Sequence, residues 1–179
     1  MTLRLVTLCT GNAARSVMLG YMFARVADAN GFDWQIRTAG THAVEGQAMS
    51  ARTLASLVAI EDLGQHAYRA HRSHQLSDDD VVWADAIVGV EAAHVNFVRS
   101  QHPLGRVKTF QLRQLLSLDD SAESLPQIVT RSAQHDPDAE LDVPDPAGQS
   151  QAQYDQCALD LWLYARAVGE LYGRDGTAH

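Results

Sequence analysis

The sequence predicts an α/β protein in three layers, with a four-stranded parallel sheet covered by helices on both faces. Three observations predict it. Strand-like and helix-like segments alternate along the chain, the first strand runs through a short turn straight into a helix, and the last long segment reads as an amphipathic helix able to pack on a sheet. Sheets of this kind place their sites beyond the carboxyl ends of the strands.

The elements follow in order. Leu3–Leu8 has the aliphatic density of a buried strand, which ends at Cys9 before the turn signal Thr10-Gly11-Asn12. From Arg15, apolar side chains at Val17, Met18, Tyr21, Met22 and Val26 recur at helical spacing up to the stop Asn30-Gly31. Trp34–Arg37 reads as a second strand, and Ser50–Leu63, closed by Gly64, as a second helix. Ser77-Asp78 is a capping signal before a helical turn at Val81–Ala84. Ala86–Val90 reads as a third strand and Val107–Phe110 as a short fourth. Residues 117–149, rich in Ser, Asp, Gln and Pro, read as a long irregular loop holding one helix at Leu125–Gln134. The chain closes with a helix over Tyr154–Leu171, whose expected apolar side is Leu159, Trp162, Leu163, the Arg166 stem and Val168.

At 179 residues, 46% of them hydrophobic, the chain fits one domain over residues 1–179 with a real core. Trp34, Trp83 and Trp162 are expected in that core. Cys9 and Cys157 are the only cysteines, too few for a disulfide framework and suited to a reducing cytoplasm. No secretory leader and no apolar run approaching the roughly 20 residues of a bilayer span is read, so neither export nor a membrane partner is expected. A net charge of −8 argues against a nucleic-acid partner. The basic run His66–His74 and the acidic runs Asp78–Asp80 and Asp136–Asp145 read as solvated surface. His66, His71 and His74 lack the cysteine or paired carboxylate spacing of a metal site, so no metal or other cofactor is expected.

The chemistry concentrates in Cys9-Thr10-Gly11-Asn12-Ala13-Ala14-Arg15-Ser16, between a strand and a helix start. Successive N–H groups of Thr10, Gly11, Asn12, Ala13, Ala14 and Arg15 would curl around one anion, helped by the helix amino terminus. The same positive field favours a nucleophilic thiolate at Cys9. Arg15 has the planar fork that holds two phosphoryl oxygens, and the Ser16 hydroxyl is placed to donate to the sulfur. Gly11 and Asn12 are residue types that tolerate a left-handed backbone.

This loop resembles the signature of the low molecular weight protein tyrosine phosphatases and of the related thioredoxin-type arsenate reductases. The resemblance continues through Thr38-Ala39-Gly40-Thr41, His71-Arg72-Ser73-His74-Gln75-Leu76, Ala84-Asp85-Ala86-Ile87-Val88 and Asp145-Pro146. It implies the phosphotyrosine protein phosphatase I-like fold. It also implies hydrolysis of phosphate monoesters, on a phosphorylated protein or a small aryl phosphate, through a cysteinyl-phosphate. By position, Cys9 would be the nucleophile, Arg15 the phosphoryl clamp and Asp145 the general acid. Asn12, Thr38 and His71 resemble the polar set that supports the loop.

The chain departs from that family at several points. Ala14 replaces the second loop cysteine, which excludes a protective bridge to Cys9. Val44 and Ala147-Gly148 stand where aromatic walls are usual, which weakens the case for phosphotyrosine. Glu91 and His94 replace the usual Asp and Asn, and Val17 the usual Pro. Two alternatives remain open at this point. An arsenate reductase would use the same loop with an external thiol, Cys157 being the one internal candidate. A non-catalytic phosphate-binding module would need the loop but neither Cys9 nor Asp145.

Overall fold

The computed structural model describes residues 2–64, 66–118, 123 and 125–174. Four parallel strands form one sheet in the order β2-β1-β3-β4: β1 Leu3–Cys9, β2 Trp34–Gly40, β3 Ala86–Gly89 and β4 Thr109–Gln111. The helices are α1 Arg15–Asn30, α2 Ala51–Ala59, α3 Asp78–Trp83, α4 Ala92–Gln101, α5 Leu112–Ser117, α6 Leu125–Gln134 and α7 Gln151–Arg174.

The strand pleat sorts the core into two layers. On one face Leu5, Ala86 and Val88 meet Met18, Met22 and Val26 of α1 and Leu161 and Ala165 of α7. On the other, Val6, Leu8 and Ile87 meet Val81 of α3 and Val98 of α4. Cys9 falls on the α1 side because it shares a face with Leu5 and Thr7. Its register partner is Gly40, so β1 and β2 end together. Helices α1 and α7 pack closely at Gly169, where a Cβ would stand 2.4 Å from Val26 Cγ1.

Several expected boundaries move. The second helix stops at Ala59, Ile60 is extended, and a 3₁₀ turn at Glu61–Leu63 follows. The break has a packing cause: on one continuous helix Leu63 would lie about 240° round from Leu57, and both are fully buried. Strand β2 runs on to Gly40 because β1 offers it a ladder along its whole length. Strand β4 begins at Thr109, leaving Val107 76% exposed. The last helix buries Tyr154, Cys157, Ala158, Leu161, Ala165 and Val168, an i, i+3, i+4 stripe. Leu159 and Leu163, expected on that stripe, face solvent. The tryptophans stand at the edges of the core, partly buried, with the Arg37 guanidinium 4.1 Å over the ring of Trp83. Within 117–149 the helix Leu125–Gln134 is present, while residues 119–122 and 124 lie outside the described residues. Among the described residues no helix is long and apolar enough to cross a membrane.

Candidate active site

Residues 9–16 close into a loop whose carbonyls are tied outward. Cys9 O and Thr10 O accept from Thr41 N and His42 N, both at 2.9 Å, and Ala13 O accepts from Thr53 Oγ1 at 3.0 Å. Asn12 O accepts from Ser73 Oγ at 2.7 Å and from His71 Nε2 at 2.9 Å, while Ala14 O accepts from Met18 N at 2.9 Å. A trans peptide points its N–H opposite its C=O. The N–H groups of Thr10, Gly11, Ala13, Ala14 and Arg15 therefore turn toward the inside of the loop. Ala14, the residue that precedes α1, offers no capping side chain to compete for them.

Asn12 pins this shape from within. Its φ of 49° is left-handed, the one positive value at a non-glycine among the described residues. Its side chain donates from Nδ2 to Ser16 Oγ and Thr38 Oγ1, both at 2.9 Å, and its Oδ1 accepts from His74 N at 2.9 Å. Because Ser16 Oγ accepts from Asn12, its own hydrogen is left for Cys9 Sγ, 3.0 Å away. Burial holds the pKa of His71 below the ordinary 6.5 although its bond to Asn12 opposes this, so a neutral ring serves as the donor. Gly40 lets β2 approach: a Cβ there would stand 2.6 Å from Thr10 O and 3.0 Å from Asn12 N.

Arg15 is 2% exposed. Its Nη1 donates to Glu91 Oε1 and, at 2.8 Å, to Val143 O; its Nη2 lies 3.0 Å from Asp145 Oδ2. Asp145 itself is half exposed at the mouth, its Oδ1 accepting from Ala147 N at 3.0 Å. The loop that carries it is held by Asp142, which accepts from Ala92 N at 2.6 Å and Gln111 Nε2 at 2.8 Å. Val44 is 66% exposed.

The fold thus brings Cys9, Thr10, Gly11, Asn12, Ala13, Ala14, Arg15, Ser16, Thr38, His71 and Asp145 to one place. The three charged runs are mostly exposed, as expected, but each also turns residues inward. Ser73 and His74 back the loop, Asp80 is 4% exposed and bound to His74 and Arg37, and Asp142 anchors the acid loop. Thr53 and the Val143 carbonyl carried no local signal as loop supports, and Ser73 and His74 showed only as part of a stretch resembling the family. Glu91 and His94 showed only as departures from a pattern. Cys157 is buried, with Sγ 3.9 Å from Pro144 O. Burial chiefly pushes its thiol up to about 12, with Asp160 and Asp145 adding to the rise and Arg15 opposing it.

Comparison with known proteins places the chain's sequence and fold in a family. Residues 4–163 match the family model described as low molecular weight phosphotyrosine protein phosphatase. A low molecular weight protein-tyrosine-phosphatase of Streptomyces coelicolor is 30% identical over 183 residues, covering 97% of this chain and 99% of its own. A protein-arginine-phosphatase of Geobacillus stearothermophilus is 29% identical over 120 residues, 67% of this chain and 76% of its own. The crystal structure of the low molecular weight protein tyrosine phosphatase from T. tengcongensis superposes with a TM-score of 0.76 at 26% identity, covering 94% of this chain and 98% of that one. The chain belongs to the low molecular weight phosphotyrosine protein phosphatase family and is a phosphatase.

Proposed function

We propose that the loop of residues 9–16 performs phosphoryl transfer in two covalent steps from Cys9. The phosphoryl oxygens seat on the inward N–H groups and on Arg15 Nη2, displacing Asp145 from it. Cys9 Sγ attacks phosphorus as the bond to the leaving atom breaks, and Asp145, as a carboxylic acid, gives that atom a proton. Water then attacks the phosphocysteine with Asp145 as base, releasing phosphate and the sulfur, which the Ser16 hydroxyl receives with a hydrogen bond. The observation that supports this most is the 3.0 Å contact from Ser16 Oγ to Cys9 Sγ, oriented by Asn12, at the floor of a ring of amides.

The substrate we propose is a phosphorylated protein side chain. Relatives are named for phosphotyrosine and for phosphoarginine. Exposed Val44 and the ring-free Ala147-Gly148 supply no aromatic wall at those two positions, each such wall being worth about 1 kcal/mol to an aryl group. Affinity then comes from the phosphoryl group more than from the side chain that bears it. A reductase is not favoured: the named relatives are phosphatases, and a buried thiol with its pKa at about 12 makes Cys157 a poor internal resolving nucleophile. A free catalytic thiol fits a reducing compartment, and we place the chain in the cytoplasm on that ground.

Rapid acid quench of wild type with an aryl phosphate, followed by mass analysis, should trap phosphate on Cys9, and C9S should abolish turnover. Phosphotyrosyl and phosphoarginyl peptides assayed in parallel rank the substrates. Turnover that survives C9S would overturn the mechanism.

A further inference from the structure

His94 stands on the first turn of α4, 2% exposed, and belongs to neither the loop nor the acid segment. Its Nδ1 accepts from the backbone N–H of Glu91 at 3.1 Å. That occupies the Nδ1 lone pair, so the ring proton of the neutral form sits on Nε2. Nε2 hydrogen-bonds Thr10 Oγ1 at 3.0 Å, and Glu91 Oε2 lies beside it at 3.3 Å without hydrogen-bond geometry. The other oxygen of Glu91 binds Arg15 Nη1. Burial first, then the neighbouring Arg15 charge and His42, push His94 down to about 3, so the neutral ring persists across ordinary pH.

Glu91 holds Arg15 with one oxygen, and its carboxylate is tied to His94 twice, by the ring beside Oε2 and by the backbone N–H of a reciprocal capping box. A glutamate side chain turns on three torsions, and rotation of its carboxylate would shift the bond that, together with the Val143 carbonyl, sets the guanidinium plane. A clamp for two phosphoryl oxygens works only if that plane is fixed. We propose that His94 is a positioning residue for this phosphatase: its Nε2–H holds Thr10 Oγ1, its ring lies against Glu91 Oε2 while Nδ1 receives the Glu91 N–H, and through Glu91 it fixes the plane in which Arg15 meets the phosphoryl group. The inference rests on Arg15 being that clamp.

Two substitutions separate the faces of the ring. H94N keeps an acceptor near Nδ1 for Glu91 N–H but cannot reach Thr10 or Glu91 Oε2. H94Q places an amide N–H near the Nε2 position. Competitive inhibition of aryl-phosphate hydrolysis by inorganic phosphate should weaken roughly tenfold in H94N and within about threefold in H94Q. In an E91Q background H94N should cost little more. An inhibition constant for H94N equal to wild type, or losses that add fully with E91Q, would overturn the proposal. Nitrogen-15 NMR of wild type is a second reading independent of variant folding: His94 should show the Nε2–H tautomer unchanged from pH 5 to 8, and an Nδ1–H ring would overturn the assignment. If wild type neither turns over aryl phosphate nor binds phosphate, the clamp itself fails; if it does both while the variants match it, only the role of His94 falls.

Discussion

Asp145 Oδ2 and Arg15 Nη2 are bound to each other at 3.0 Å across the mouth of the loop, joining the proposed acid to the proposed clamp. In the proposed mechanism a phosphoryl group reaches Arg15 by taking the place of that carboxylate, which is then free to face the leaving atom. Seating the substrate and releasing the acid are one event in this geometry.

Removing the carboxylate charge should separate the two roles. In D145N, inorganic phosphate should bind roughly two- to fivefold more tightly, the worth of a part-exposed charge. Turnover should fall, and most for poor leaving groups. Phosphate titration and a series of aryl phosphates check the two halves; uniform loss across leaving groups would remove Asp145 from the acid role.

Asn12 gathers hydrogen bonds to Ser16, Thr38 and His74 at a left-handed backbone position. At about 1 kcal/mol for each bond, with a further contribution from backbone conformation, N12A should lose about 3–4 kcal/mol in urea denaturation. N12G should recover about 1 kcal/mol of that, because glycine accepts φ of 49° freely, while turnover stays low in both.

At Gly40 the obstacle to a side chain is backbone on the facing loop. G40A should lower kcat/KM for an aryl phosphate about a hundredfold by shifting Thr10 and Asn12, with a smaller effect on melting temperature. Equal activity would show that the loop yields without cost.

Stability should peak in mild acid. Burial alone would lower the pKa of His74, but its bonds to Glu45 and Asp80 outweigh this and hold it above 6.5; that stabilisation is full below pH 6.5 and drains as pH rises through the folded value. Burial alone would raise Asp80, but Ser77 and His74 outweigh it and hold it below 3.8; its share is full above pH 3.8 and drains as pH falls through the folded value. Melting temperature against pH should therefore decline on both sides of this window, and H74Q should flatten the alkaline limb. An unchanged alkaline limb would show that His74 does not contribute it.

The Cys157 thiol should resist iodoacetamide at neutral pH in the native protein and react once unfolded, as read by mass spectrometry. C157A should hydrolyse aryl phosphate within about twofold of wild type while losing about 1 kcal/mol of stability. A disulfide between Cys9 and Cys157 formed on arsenate treatment would reverse the case against a reductase.

What the amino-acid sequence determined by itself is local. The strand ending at Cys9, the Gly11-Asn12 turn, the helix from Arg15 to its stop at Asn30-Gly31, and α6 are written in side-chain period and turn chemistry, which act over a few residues. The residues of the loop from Cys9 to Ser16 were legible for the same reason. The tertiary structure decided the strand order and the distant partners that neither local pattern nor family resemblance had named. Thr10 meets His94 across 84 positions, and Arg15 meets Glu91 across 76 and Val143 across 128. The burial of Asp80 and the break after Ala59 belong to the same class. Those pairings follow from how helices dock on the sheet, where burial favours any apolar stripe and local pattern carries no address for the polar group that will stand opposite.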